Sequence, residues 1–390
     1  MEVDTRLNAG DRRSAGVTSP IQESVREAGA ARTPLRIAGR SHWLSAGRPV
    51  AASDRVSVAD HSGVVDYVPG DLTITVRAGT TLADIAGVTG EHGQWLPLDP
   101  FGSADGTIGA TVATGSSGPL AHGFGTIRDL VLGVEIVTGD AKIVRGGGRV
   151  VKNVAGFDLV RLVTGAWGTL GVITEVSLRL HALPAHRMTM AMDAPTDTRR
   201  LAQRLRSLLD APIIPFSLEL VSEGLAKRIG LPARPTILVE FGGNAAALSA
   251  QRDALGTIGA VAEVPTEVWE KMRSTAVSDG LVVRISGLPA GLADRWDRAR
   301  AISGEDAWAM MHASIGRGTV RCILRGELPA STVDRVSAPH ADDTLIFENL
   351  PAALWTKLAP TATGDRVSQD IRKAFDPRGI LNPGILGPVN

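Results

Sequence analysis

The sequence predicts an α+β fold in two domains, and three observations carry that prediction. Residues 34 to about 183 alternate short β-patterned runs with glycine-rich turns. Residues 187–370 alternate strand-patterned runs with amphipathic helical ones. Neither half holds a dinucleotide fingerprint, which needs G-x-G-x-x-G between a strand and a helix. The nearest approaches, Gly123-Phe-Gly-Thr-Ile-Arg128 and Gly316-Arg-Gly-Thr-Val-Arg321, carry arginine where the third glycine belongs, and no Walker A loop is present.

In chain order, residues 1–17 are charged, lack periodicity and predict a disordered N-terminus. A helix is predicted over 18–30, with Ser19 as N-cap, Pro20 at its first position and Glu23 closing a capping box. Pro34–Gly39 reads as a strand entering a turn. Leu72–Gly79 alternates apolar and polar residues and stops at a glycine, as a half-buried strand does. Thr81–Val88 reads as a helix. Leu130–Asp140 and Lys142–Arg145 form a hairpin across a Thr-Gly-Asp turn, and Leu170–Leu180 is the last strand of the first domain, 18–183. His181–His186 reads as a linker with solvated histidines. The second domain, 187–370, carries helices over Thr198–Leu209 and Ala246–Ile258. Its extended runs are Phe216–Val221, Thr236–Phe241, Leu281–Ser286 and Thr319–Leu324. Residues 359–366 form a polar loop, and 371–390 a closing segment that packs back on the first domain.

Composition narrows the function classes. Of 390 residues, 44% are hydrophobic, enough for two cores. Lys plus Arg and Asp plus Glu both number 41, so no net field attracts nucleic acid. The single cysteine, Cys322, excludes a disulfide framework and an iron–sulfur cluster held by this chain alone. No apolar run approaches the roughly 20 residues of a membrane span. The polar N-terminus lacks the apolar core of a signal peptide, so a cytoplasmic location without membrane insertion is expected.

Glycine spacing carries the site prediction. Gly106-Thr-Ile-Gly-Ala-Thr-Val-Ala-Thr-Gly-Ser-Ser-Gly118 offers small side chains that admit a planar ligand and a turn suited to an anion. The same segment reads equally as a tightly packed small-residue helix. A longer block decides between them. Lys152-Asn153-x-x-Gly156-Phe157-Asp158-Leu159 is followed by Gly165-x-x-Gly168-x-x-Gly171-Val172-Ile173-Thr174-Glu175. This pattern resembles the FAD domain of the vanillyl-alcohol-oxidase, or PCMH-type, family. Gly63–Leu72, Gly93–Pro97, Val151–Gly156 and the ending Gly379–Gly384 resemble the smaller flavin subunits of bacterial glycolate oxidases. The likeness spans roughly residues 30–386 and thins in the second domain.

The resemblance implies a PCMH-type FAD-binding domain of two subdomains, then a cap domain of antiparallel sheet and helices, with the C-terminal segment returning to the flavin. It makes Ala38, Gly39, Arg40, Ser41 and His42 the pyrophosphate loop, although the usual triple glycine is absent. Gly115, Ser116 and Ser117 would support flavin and pyrophosphate. Gly168, Gly171 and Ile173 would lie along the adenine half, and Asn382 would approach the flavin ring. Gly109, Asp129, Lys152 and Asn153 join the cofactor-binding set. His42 raises covalent attachment, but its Arg-Ser setting favours non-covalent FAD.

Oxidation of a 2-hydroxy acid needs a cation for the carboxylate and a base for the hydroxyl proton. Arg284 and Arg321, on strands of the cap, are the catalytic candidates. The segment His312-Ala-Ser-Ile-Gly-Arg-Gly-Thr-Val-Arg321 lacks the acidic residue and closing histidine of the metal segment in larger paralogues, so no metal is expected. The implied function is an FAD subunit of a glycolate (2-hydroxy acid) dehydrogenase, acting with a larger flavin subunit and an iron–sulfur subunit. The alternatives are an autonomous FAD-dependent dehydrogenase or oxidase of a small alcohol or hydroxy acid, and a structural subunit with non-catalytic FAD.

Overall fold

The computed structural model describes residues 19–41, 46–52, 54–148, 158–275, 280–304, 306, 309–338, 343–358 and 364–387. The expected disorder of 1–17, the Lys152–Gly156 motif and the loop at 359–363 lie outside the described residues.

Helix α1 (Pro20–Ala31) starts where Ser19 accepts a hydrogen bond from the Gln22 amide. Glu23 does not close a capping box. It sits one residue past the third helical position and instead pairs with Arg26 one turn along. Strand β1 (Leu35–Ala38) pairs in parallel with β2 (Asp54–Ser57). A five-stranded antiparallel sheet follows, in the order β3 (Val64–Val68), β4 (Thr73–Arg77), β8 (Val172–Arg179), β6 (Val131–Val137) and β7 (Ile143–Gly147). Its buried faces are β-branched, with Ile74, Val76, Ile136, Val172 and Val176 at most 1% exposed, as the alternation requires. Helices α2 (Leu82–Gly90) and α3 (Ile108–Thr114) connect to this sheet.

The predicted linker is structured. β9 (His181–Ala182) pairs with β5 (Gln94–Trp95), and His181 packs edge-on against Phe124 at 5.2 Å instead of standing in solvent.

The second sheet is eight-stranded and antiparallel, in the order β13 (Ala262–Val264), β10 (His186–Asp193), β12 (Thr236–Gly243), β11 (Ser217–Val221), β15 (Met310–Ser314), β16 (Thr319–Arg325), β14 (Gly280–Ser286) and β17 (Thr344–Asn349). One face presents Leu218, Leu220, Val239, Phe241, Val283, Ala313, Val320 and Cys322 to the helices Thr198–Leu209 and Leu292–Ser303, forming one core. Because side chains alternate, the other face carries the intervening residues. At one end these are Val221, Leu238, Val282, Met310 and Ile323, packed under the helices Glu223–Arg228 and Val268–Arg273. At the other end they are Ser217, Glu219, Glu240, His312 and Arg321, which face the first domain.

Backbone bonds join the two sheets' domains: Gly123 donates to the Phe216 carbonyl at 3.0 Å, Gly102 to Arg273 at 2.9 Å and Gly47 to Glu348 at 2.8 Å. The chain's end returns to its beginning, with Leu35 donating to Ile380 and Asn382 donating to Leu35.

Leu220 is completely buried at the middle of the cap sheet. Leu220→Ala is expected to lower unfolding free energy by about 2–5 kcal/mol, read as a shift in the urea midpoint at unchanged slope.

Candidate cofactor and substrate site

Between β1, α3 and the 167–173 segment lies a cleft of about 750 Å³. Nine of the expected cofactor residues line it: Ala38, Gly39, Arg40, Ser41, Gly109, Gly168, Gly171, Ile173 and Asn382. The loop leaving β1 turns through Ser41, whose φ of 69° is left-handed, a backbone geometry suited to cradling an anion. Helix α3 supplies the floor. Thr107 caps it by accepting from the Ala110 amide, and Gly109, Ala110 and Ala113 present almost no side chain to the cleft. The segment 106–118 is therefore a packed helix and a cleft wall at once. A Cβ at Gly109 would meet the Ala78 Cβ at 2.7 Å and its carbonyl oxygen at 2.9 Å, so glycine there lets the helix lie against the end of β4.

Asn382 closes the cleft from the C-terminal side. Its Oδ1 accepts from the Ile37 amide at 2.9 Å and its Nδ2 donates to the Trp167 carbonyl at 2.7 Å. A Cβ at Gly168, whose φ is 70°, would come within 2.9 Å of that Nδ2. Asn382 thus stands with Gly168, Gly171 and Ile173, its amide engaged on both sides.

The remaining expected residues stand elsewhere. Gly115 ends α3 in a left-handed conformation, and Ser117 Oγ accepts from the Ile127 amide at 3.1 Å. Asp129 accepts from the Thr126 amide and hydroxyl. Burial would raise its carboxyl, but those two bonds prevail and hold it below the ordinary range. Ser116 is buried and lines a smaller cavity of about 300 Å³, which shares Gly106, Thr107, Ala110 and Thr114 with the cleft. His42, Lys152 and Asn153 lie outside the described residues.

The cleft's small-residue lining suits a large flat cofactor such as FAD, which needs close backbone approach along its length. Sequence reasoning missed Thr107 and Trp167 as lining residues. A Thr two residues before Gly109, placed to cap a helix, is the signal that was legible for the first.

Phe101 lines the smaller cavity and stacks on the cap. Its ring centroid is 4.3 Å from Arg321 Cζ and 5.0 Å from the His312 ring. Arg321 is 6% exposed and donates from Nε to Glu348 Oε2 at 2.8 Å. Arg284 is one-third exposed and approaches Glu348 Oε1 at 3.7 Å. Burial would raise the Glu348 carboxyl, but the two guanidinium groups outweigh it and hold it below its ordinary value. Of the two arginine candidates, Arg321 is the one against the Phe101 loop. His312 Nδ1 lies 2.9 Å from Glu219 Oε2. Two further acids complete the stripe. Burial pushes Glu240 up, opposed by Arg187 at 2.8 Å. Burial pushes Asp99 up to about 8, opposed by Arg273 at 4.0 Å, beyond hydrogen-bond reach, and by the Leu120 amide, which donates to it at 3.0 Å. Among the described residues, no three His, Cys, Asp or Glu side chains are placed to hold a metal ion, and no helix is long and apolar enough to cross a membrane.

Residues 15–147 match the family described as FAD binding domain. In overall structure the chain is similar to p-cresol methylhydroxylase (TM-score 0.70, 14% identity, covering 95% of this chain and 88% of that one). It is likewise similar to 4-ethylphenol oxidase from Gulosibacter chungangensis (TM-score 0.69, 16% identity, 94% and 87% covered). The chain therefore carries an FAD-binding domain and has the PCMH-type fold that its glycine block anticipates.

Among curated relatives, it is 41% identical over 182 residues to glycolate oxidase subunit GlcE of Escherichia coli (strain K12), covering 46% of this chain and 51% of that protein. It is 37% identical over 183 residues to glycolate oxidase subunit GlcD of Bacillus subtilis (strain 168), covering 44% and 38%. Mitochondrial cytochrome D-lactate dehydrogenase of Arabidopsis thaliana is 26% identical over 365 residues, with 82% and 62% covered. The likeness to glycolate oxidase FAD-binding subunits thus holds over the matched part, while the chain spans about half the length of the first of these relatives, or less.

Two predictions follow from the site. Asp99 ionises far more readily unfolded, near 3.8, than folded, near 8. Between those values the folded state holds the extra proton, so stability falls as pH rises, by up to about 1.4 kcal/mol per pH unit. Asp99→Asn is expected to flatten the decline in melting temperature between pH 5 and pH 8. Asn382→Ala leaves a buried amide and a carbonyl unpaired, and is expected to cost about 2 kcal/mol of stability. In a fluorescence titration it should also weaken FAD binding at least about tenfold.

Proposed function

We propose that this chain is the FAD-binding subunit of a 2-hydroxy acid dehydrogenase of the glycolate type, working beside a larger flavin subunit and an iron–sulfur subunit. The observation that carries the proposal is the adjacency of a glycine-walled cleft in an FAD-binding domain to the buried guanidinium of Arg321 on the cap, which Phe101 covers. The relatives' activities on glycolate and D-lactate support the substrate class.

FAD, when bound, supplies the two-electron acceptor for such an oxidation. The chain's residues do the rest. The loop Ala38–Ser41 and the α3 face hold the cofactor, by backbone approach more than by charge. His42, Lys152 and Asn153 complete that set in this reading, and FAD is held without a covalent bond. Arg321 supplies the positive charge for a substrate carboxylate, fixed flat by Phe101 and aimed by Glu348. Electrons leave through a partner, since the one cysteine is buried and pushed up to about 12 by burial, far from the thiolate a cluster ligand must be.

One observation favours a second reading, in which the flavin is structural. Glu348 pairs with both Arg321 and Arg284 and offsets part of their charge, which weakens the field available to an incoming anion.

An anaerobic absorption spectrum of the purified, FAD-loaded chain separates the two. Bleaching of the flavin band near roughly 450 nm on adding glycolate or D-lactate is the expected outcome. A band that persists with every 2-hydroxy acid, even with the partner subunits present, establishes the structural reading.

A further inference from the structure

On the buried face of the cap, two polar atoms that flank one ring have no hydrogen-bond partner among the described residues. They are His312 Nε2 and Arg321 Nη1. Both residues are 6% exposed and stand opposite each other on β15 and β16. Phe101 lies against both. Ser314 Oγ, two residues along the same strand face, is a third such atom. Buried donors and acceptors without partners are rare, and desolvating them is unfavourable unless something binds there.

The imidazole is oriented. Its Nδ1 is 2.9 Å from Glu219 Oε2, and a carboxylate accepts only. In the neutral imidazole the ring proton therefore resides on Nδ1, and Nε2 carries the lone pair. Charges facing the ring come from every element around it. Glu219 stands on β11, Arg321 on β16 and Glu348 on β17, while Asp99 lies on the loop that carries Phe101. His122 and Arg317 stand beyond Glu219. Glu219 and Glu348 stabilise a positive charge on the imidazole, and Arg321 opposes it.

We infer that His312 Nε2 is the proton acceptor for the substrate hydroxyl, with Glu219 as its positioning residue and Arg321 Nη1 holding a carboxylate oxygen. The inference rests on the function proposed above. A 2-hydroxy acid entering from the cavity lined by Phe101 meets both atoms beside that ring. Its hydroxyl proton passes to Nε2, its C2 hydrogen leaves as hydride to the FAD that oxidises it, and the C2–O bond becomes a carbonyl. The products are a 2-oxo acid, an imidazolium and a two-electron-reduced flavin. Glu219 holds the imidazolium by charge without taking its proton.

The test uses the FAD-loaded chain and two readouts. The first is calorimetric proton uptake when oxalate, an unreactive dicarboxylate, binds at pH 8 in buffers of different ionisation enthalpy. Wild type is expected to take up about one proton per oxalate and His312→Gln none. The second is the pH profile of flavin bleaching by glycolate and D-lactate. His312→Gln is expected to slow bleaching about 10²–10⁴-fold and abolish the alkaline rise. Glu219→Gln should keep the rise but move it to lower pH, because the imidazolium loses its counter-charge. A purely structural role does not move that limb.

The double variant Glu219→Gln/His312→Gln preserves a neutral hydrogen-bonded pair and keeps the test open if a single variant misfolds. It is expected to fold, retain flavin and bleach as slowly as His312→Gln. Bleaching by His312→Gln or the double variant at more than half the wild-type rate overturns this inference and leaves the proposed function standing. Undiminished proton uptake in His312→Gln overturns it equally. Absence of bleaching in wild type overturns the proposed function, and the inference with it.

Discussion

Burial on both faces is the constraint that shapes the cap sheet and, through it, the whole site. A strand directs successive side chains to opposite sides, so one pattern must serve an oily core and a polar domain junction at once. In Ser217–Val221 it does so residue by residue. Leu218 and Leu220 enter the core, while Ser217 and Glu219 face the first domain. Charges placed there are desolvated and must be matched. Hence Glu348 is answered by Arg321 and Arg284, Glu240 by Arg187 and Ser217, and Glu219 by His312. Among the described residues, His312 Nε2 and Arg321 Nη1 are left without partners within this stripe, as is Ser314 Oγ beside them.

The cofactor side solves the opposite problem. There the architecture works by omission, with glycine and alanine along α3 leaving room that larger residues would fill. Rigidity comes from the amide of Asn382, which bridges two segments that share no strand pairing with each other. A soft, charge-poor cleft and a stiff, charge-rich sheet thus meet at Phe101, whose ring belongs to the first domain and rests on the second.

Much of this was legible in the sequence. Alternation located β4, β6, β8, β11 and β14 within a residue or two, and the helix Thr198–Leu209 to the residue. The loop after β1 and the glycines at 109, 168 and 171, which the family resemblance names, line one cleft. What was illegible depended on partners distant in sequence. Nothing local to His181 says that it packs on Phe124. The pairing of His312 with Glu219, 93 residues away, is fixed by strand order, and strand order is not written in periodicity.

The clamp at Asn382 also orders events during synthesis. Its partner amide belongs to Ile37, 345 positions earlier in the chain. A ribosome that has made the entire glycine-rich domain has still not made the residue that locks it. The cleft therefore takes its final form only after residue 382 has been made, long after the strand it locks. A chain that stops short of residue 382 lacks the latch, and Ile37 and Trp167 lose the side chain that bridges them.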